Sequence, residues 1–261
     1  MADKAADAFL QAIRINPNYA EAYYKLALAY DRVHLHKMQQ AHPQKEVAAL
    51  KKVIELKPDY AEAYVYLANT FMPNETLPNI DLEKTYKPAV EILTRAIRIN
   101  PNLPEAYAEL GRAYSVLKES EKAMEAYRQA ILIKPDESEI YSSLNHCAGK
   151  FGQYERAIEI YSMVIQADLN NTLAYSALGK AYLELKRYQE SAEAYKQAAR
   201  IKPEDGTSHY ELGYIYLLLG DKEAAQSEYR KLEEICQKTE DYLLKVSYQK
   251  KAEDLLSKIE K

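Results

Sequence analysis

Residues 104–137 read PEAYAELGRAYSVLKESEKAMEAYRQAILIKPDE, and the rest of the chain copies this stretch. Tyr107, Leu110, Gly111 and Tyr114 fall at spacings of three, four and seven, which puts them on one helical face. Ala123, Tyr127 and Ala130 repeat the pattern in a second helix. Gly111, Ala123 and Ala130 are small enough to let two helices approach closely, and the three tyrosines fill the space around that contact. Pro135 cannot continue the second helix, because it lacks an N–H and its ring clashes with the preceding turn. Asp136 follows, a residue type that caps the start of the next helix.

The same positions recur in phase along the chain. The first-helix tyrosine returns as Tyr23, Tyr64, Tyr107, Tyr141 and Tyr175, with His209 in the last copy. Three residues later stands Leu26, Leu67, Leu110, Leu144, Leu178 or Leu212. The next position is small in Ala27, Ala68, Gly111, Gly179 and Gly213, and Asn145 breaks the series. The second helix carries Phe9, Tyr127, Tyr161, Tyr195 and Tyr229, and Pro17, Pro58, Pro101, Pro135 and Pro203 close the units. This recurrence resembles the tetratricopeptide repeat, a helix–turn–helix unit of about 34 residues. The resemblance implies an all-α fold, a right-handed superhelix or α-solenoid of antiparallel helix pairs in which each unit packs on its neighbours. Its expected division is a half-repeat at 1–19, six units at 20–60, 61–103, 104–137, 138–171, 172–205 and 206–238, and a capping helix at 239–261.

Composition narrows the function. Lys plus Arg number 35 and Asp plus Glu 39 in 261 residues, a net charge of −4 that gives no reason to expect a nucleic-acid partner. More than half of the 24 tyrosines sit at the recurrent helix-pair positions, so packing accounts for most of the aromatic content. Cys147 and Cys236 lie in different repeats and make no disulfide framework, which fits a reducing, cytoplasmic setting. The opening MADKAADAFLQAIRINP lacks the apolar core of a signal peptide, and no apolar run reaches membrane-spanning length.

The ends and insertions depart from the regular unit. Ala5, Phe9, Ala12 and Pro17 read as a second helix without its first, which implies either a fragment of a longer protein or a helix covered by another surface, including a second copy. An insertion of about seven residues lies within HLHKMQQAHPQKE, either as loop or as lengthened helix, and one of about nine lies within MPNETLPNIDLEKTYKP, where Pro73, Pro78 and Pro88 predict a stiff, largely non-helical segment. Leu244, Tyr248, Ala252, Leu255 and Ile259 make one apolar stripe in the terminal helix. Asn145, Ala148, Gly149 and Gly152 mark 138–171 as the loosest unit.

No motif points to catalysis. His34, His36 and His42 share an insertion, but residues two apart do not share a helix face, and no closed ligand set accompanies them, so no metal is expected. His146 and Cys147 are neighbours that point about 100° apart on a helix, too far for a nucleophile and its base. Phosphate-loop, dinucleotide and zinc-protease motifs are absent, so neither cofactor nor enzymatic activity is expected.

Resemblance to the tetratricopeptide family implies instead a protein-binding adaptor or scaffold, whose first helices line a groove for a peptide or subunit. The groove positions lie one and five residues after the first-helix tyrosine. The second column reads Leu28, Asn69, Arg112, His146, Lys180 and Tyr214, a line of donors suited to a carboxylate-bearing or acidic segment. Tyr24, Tyr210 and Tyr214 flank it as apolar contacts. The first column, Tyr24, Val65, Ala108, Ser142, Ser176 and Tyr210, lacks the lysine of the family's chaperone-tail clamp. The row Glu21, Glu62, Glu105 and Glu139 suits helix first turns, where the dipole favours carboxylates. The alternative is that the chain is the substrate-recruiting repeat region of a larger enzyme, such as a glycosyltransferase.

Overall fold

The computed structural model describes residues 2–36, 43–72 and 81–260, and every regular element among them is an α-helix. The chain forms two compact units, Met1–Ile133 and Lys134–Lys261. The first holds α1 (Ala2–Ile15), α2 (Ala20–His36), α3 (Pro43–Leu56), α4 (Ala61–Thr70), α5 (Leu82–Ile99), α6 (Pro104–Val116) and α7 (Ser120–Ile133). The second holds α8 (Ser138–Phe151), α9 (Tyr154–Ala167), α10 (Thr172–Glu184), α11 (Tyr188–Ile201), α12 (Gly206–Leu218), α13 (Lys222–Lys238) and α14 (Tyr242–Ile259).

Short polar side chains start several helices. Asn171 accepts from the Ala174 N–H at 2.8 Å, Asp221 from Ala224 at 2.9 Å and Asp241 from Leu244 at 2.8 Å. Each satisfies a first-turn donor that the helix leaves open, worth about 1 kcal/mol. Asp136 does not act this way, since Glu137 is the N-cap of α8 and makes no capping bond.

First helices end by a shared device. Lys118, Gly152, Lys186 and Gly220 all take positive φ, at 62°, 67°, 58° and 79°. The N–H after each reaches back five residues, from Glu119 to Tyr114, Gln153 to Ala148, Arg187 to Tyr182 and Asp221 to Tyr216, at 2.8 to 2.9 Å. This closure favours glycine, because a Cβ is strained in the left-handed region. Gly152 is therefore a proper stop for α8, where composition alone suggested a weakened end.

Close approach within a pair depends on glycine beneath a ring. A Cβ on Gly111 would lie 2.9 Å from the Tyr127 ring, and one on Gly179 would lie 2.6 Å from Tyr195. In α8 the equivalent residue is Asn145, buried, with its Oδ1 lacking a hydrogen-bond partner. Tyr161, opposite it on α9, is fully buried, and its hydroxyl also lacks a partner. The Tyr161 ring stacks on Tyr141 with centroids 5.8 Å apart. Accordingly α8 and α9 approach less closely than the two helices of any other first-and-second pair.

A second tie joins the first helix to the turn before it. The Tyr64 hydroxyl donates to the Pro58 carbonyl at 3.0 Å, and Tyr141 donates to Pro135 at 2.9 Å. His209 occupies this position in α12, with Nε2 3.1 Å from the Pro203 carbonyl and Nδ1 2.6 Å from Glu228 Oε2. Both ring nitrogens thus face oxygens, the Glu228 carboxylate and the Pro203 carbonyl. Glu228 is buried and also accepts from Lys231 at 2.8 Å. Burial works to raise the Glu228 pKa, but the hydrogen bonds from His209 and Lys231 overcome it and hold the carboxyl below its ordinary value.

Three features differ from the sequence expectations or extend them. The second insertion is not largely non-helical in its described part, because α5 begins at Leu82 and carries Pro88 inside it. Asp81 anchors that extra turn, accepting the Lys84 N–H at 3.1 Å and, through its carbonyl, the Thr85 N–H at 3.0 Å. The missing N–H of Pro88 is tolerated because Tyr86, Ala89, Leu93 and Ala96 bury the same helix. At the first insertion α2 continues helically to His36 and α3 starts at Pro43, while residues 37–42 and 73–80 lie outside the described ones. Phe9 is only partly exposed, packed with Ile13 against Leu26 and Ala29 of α2, whereas Ile15 is 86% exposed.

Three outcomes follow from this packing. Backbone amides of residues 138–167 should exchange with solvent faster than those of 172–201, and equal protection would contradict a weak α8–α9 contact. Lys186→Gly should stabilise the fold by about 1 kcal/mol, read as a higher unfolding midpoint in urea, because it relieves a left-handed side chain. For Glu228 the folded pKa is depressed, so its stabilisation is present above the ordinary carboxylate range and is lost as pH falls through the folded value. Melting temperature should therefore drop on acidification through about pH 5 to 3, and Glu228→Gln should flatten that dependence.

Candidate functional site

The first helices present the residues singled out above, and the two units treat them differently. In the first unit Tyr24 of α2 is half-buried in an aromatic cluster. Its ring centroid lies 4.9 Å from Tyr60 and 5.7 Å from Tyr66, the latter edge-on. Burial pushes the Tyr24 hydroxyl well above its ordinary pKa, and Tyr66, Tyr60, Glu62 and Glu105 all act in the same direction. Asn69 of α4 is partly buried, with Oδ1 lacking a hydrogen-bond partner. Arg112 of α6 is not a free cation: its Nε and Nη2 both lie 2.8 Å from Glu109 Oε2, one turn earlier.

In the second unit His146 of α8 and Lys180 of α10 are exposed. Glu211 of α12 is held above its ordinary pKa by burial, with Lys251, Lys180 and Lys258 pulling the other way. Tyr210 and Tyr214 do not stand open as apolar contacts, because α14 lies across them. The Tyr210 hydroxyl donates to Asp254 at 2.6 Å. Lys258 pairs with Asp254 and sits 5.7 Å from the Tyr210 centroid and 5.2 Å from Tyr214, while Lys251 lies 4.6 Å over Tyr210. The physical cause is the apolar stripe of α14. Tyr248, Ala252 and Leu255 are buried, Tyr248 and Leu255 meeting Gly206 and Gly213 of α12, which brings the polar residues of the same helix over the two tyrosines.

The structure thus gathers Tyr210 and Tyr214 beneath Lys258, and sets Tyr24 among rings of its own unit. Sequence reasoning missed Tyr60 and Tyr66. Tyr60 follows the closing Pro58 by two residues and Tyr66 lies two after the α4 tyrosine, so neither falls in a groove column. The four glutamates Glu21, Glu62, Glu105 and Glu139 do lie in helix first turns, as the dipole favours.

Elsewhere a cavity of about 720 Å³ opens between α11, α12 and α13, walled by Lys196, Arg200, Tyr216, Lys231 and the His209–Glu228 pair. Its acid and base are spent on each other and on the Pro203 carbonyl. The side chains of His34, His36 and His42 lie outside the described residues. Among the described residues no group of three or more histidine, cysteine or acidic side chains is placed to hold a metal. Among them, too, no helix is long and apolar enough to cross a membrane.

Comparison with known proteins follows the same lines. No curated protein matches the sequence significantly. Among solved structures, yeast Tom70 is 14% identical with a TM-score of 0.50, covering 98% of this chain and 59% of its own. MamA from Desulfovibrio magneticus RS-1 is 20% identical with a TM-score of 0.47, covering 69% of this chain and 97% of its own. YrrB, described as a TPR protein with an unusual peptide-binding site, is 18% identical with a TM-score of 0.44, covering 78% of this chain and 99% of its own. These likenesses concern the fold alone. A family model for the TPR repeat matches residues 2–32 and 179–220, and two for the tetratricopeptide repeat match 82–147 and 206–239. The helix pairs, their glycine-under-ring contacts and these matches place the chain in the tetratricopeptide repeat family.

Proposed function

We propose that this chain is a non-catalytic protein–protein interaction scaffold that holds a peptide or subunit against the exposed faces of its first helices. Tetratricopeptide repeats support a protein-interaction role in general. The observation that carries the finer reading is the exposure of His146 and Lys180, five residues after the first-helix tyrosines of α8 and α10. They present cationic or proton-accepting groups from rigid helices, which suits a carboxylate-bearing segment of a partner. Arg112 offers its remaining guanidinium N–H groups to the same chemistry, at the cost of competing with Glu109. Asn69 contributes little, because its partnerless Oδ1 is buried. Tyr210 and Tyr214 contribute little, because Lys258 and Asp254 already engage them.

Exposed ion pairs are each worth ~0–1 kcal/mol, so recognition here depends on several acting on one segment and is sensitive to salt. The test uses a fluorescein-labelled tetraglutamate peptide in anisotropy titrations. His146→Ala with Lys180→Ala should weaken binding roughly three- to tenfold at low salt, and the difference should shrink above about 0.5 M salt. Unchanged binding by the double variant would overturn the assignment of this surface.

A further inference from the structure

We infer that the cavity between α11, α12 and α13 binds an organic carboxylate, a carboxylate head joined to an apolar body. This site is separate from the His146–Lys180 surface, since neither of those residues lines it. The cavity measures about 720 Å³, and small-ligand sites span roughly 300–1,000 Å³. His209, Leu212 and Tyr216 line it from α12 at spacings of three and four, so they share one face of that helix. Leu212 is buried and Tyr216 is partly exposed, and Ala199 of α11 and Ile235 of α13 bring further apolar surface to the same space. These residues make the floor that receives the body.

The charges on the walls select the head. Lys231 and Lys238 on α13 are engaged by acids of their own helix, Lys231 by Glu228 at 2.8 Å and Lys238 by Glu234 at 2.6 Å. Lys196 and Arg200, one turn apart on α11, are not held in this way. Lys196 lies 3.9 Å from Glu193, at the limit of an ion pair, and its Nζ stands 5.7 Å from the Tyr216 centroid. Cationic wall and apolar floor therefore meet at Tyr216. Arg200 is exposed, and its side chain makes no hydrogen bond or ion pair among the described residues. Against these two cations stands Glu204, the one lining acid that no cation holds among the described residues.

An arginine fork matches a carboxylate with two parallel N–H···O bonds, and Lys196 adds a second charge on the same helix face. A neutral apolar ligand would cover Arg200 without pairing it, which costs hydration. A cationic ligand would meet an excess of like charge and find only Glu204 free. The His209–Glu228 pair is closed on itself and on the Pro203 carbonyl, so it shapes the wall and leaves the ligand to α11 and the floor.

The test follows amide NMR spectra of the isotope-labelled chain during titration with phenylbutyrate, its neutral amide, acetate, and the tripeptide acetyl-Ala-Ala-Phe, which carries a ring and a carboxylate at a peptide terminus. Phenylbutyrate should shift the amides of residues 196–200 and 212–216 with a Kd on the order of 1 mM, as a ligand of that size gives. Arg200→Glu should weaken it about tenfold, because a pairing cation becomes a repelling carboxylate. The neutral amide should bind at least about fivefold more weakly, and acetate, the head without the body, should give no saturable shift. Lys202→Glu changes the net charge equally from an exposed position outside the cavity, and should leave affinity within about twofold. Tighter binding of the tripeptide than of the free acid would assign the site to the C-terminal residue of a protein partner, and the reverse order to a free organic acid; either order upholds the site. Equal binding of acid and amide, or equal weakening by Lys202→Glu, would overturn the carboxylate assignment. Shifts confined to other residues, or none from either carboxylate up to about 20 mM, would overturn the site itself. His146→Ala with Lys180→Ala should not alter the phenylbutyrate shifts, so this inference and the first-helix surface fail separately.

Discussion

The structure depends on how closely two helices of one pair can approach. A glycine Cα set against a tyrosine ring gives the shortest separation that side-chain packing allows, and a single methyl group at that point meets the ring at 2.6 to 2.9 Å in Gly179 and Gly111. Interiors are packed too densely to absorb such an intrusion without moving a helix. The chain accordingly keeps one small residue and one aromatic at a fixed phase, and the tie from the first-helix residue to the carbonyl of the closing proline fixes where the pair begins. The glycine contact acts in the α6–α7 and α10–α11 pairs and the carbonyl tie in α4, α8 and α12, and where each acts it fixes how a first helix is seated.

Departures from that rule are instructive because each has a local physical answer. Asn145 adds an amide where glycine belongs, and the response is a wider α8–α9 pair in which Tyr161 stacks on Tyr141 rather than pressing on backbone. His209 substitutes for tyrosine and keeps the carbonyl tie, but its second nitrogen then demands an acceptor, which Glu228 supplies from the next helix. An apolar pair would need no such partner. The hydrogen bonds from His209 and Lys231 together hold the buried Glu228 below its ordinary pKa, so one substitution in α12 draws two residues of α13 into one polar network.

Periodicity made the helix pairs readable in the chain, because the small, aromatic and proline positions recur in register. Groove residues were harder to read for a physical reason. Column positions on a first helix say which way a side chain leaves the backbone, but not what arrives over it. Tyr210 and Tyr214 are at the right phase, yet α14 covers them, since its apolar stripe must bury Tyr248 and Leu255 against α12 and α13 and its lysines then fall on the tyrosine faces. Arg112 is likewise at the right phase, and its charge is drawn to Glu109 one turn back. Tyr60 lies in a turn and Tyr66 off the columns, so their meeting at Tyr24 is a tertiary fact with no period of its own. Pro88 misled in the opposite sense. A proline in a sequence stops a helix only when no earlier cap can start one, and Asp81 starts α5 a full turn and more before it.

Charge on a repeat protein with a net charge of only −4 is informative when it is uneven, because a mixed surface would screen itself. In the first unit the first-turn glutamates of α2, α4 and α6 follow from the helix dipole, and the dipole alone predicts nothing about a ligand. What changes their meaning is the tyrosines beside them. A carboxylate in water is well solvated and needs no partner. Lys57 shows the alternative, with its Nζ 5.0 Å from the Tyr60 centroid and 3.7 Å from Glu21 Oε1, so that one cation meets a ring and a carboxylate together. Lys258 on Tyr210 and Tyr214 makes the same contact inside the second unit, with Asp254 as its carboxylate. In each unit the chain thus satisfies a tyrosine face and a carboxylate with a lysine of its own.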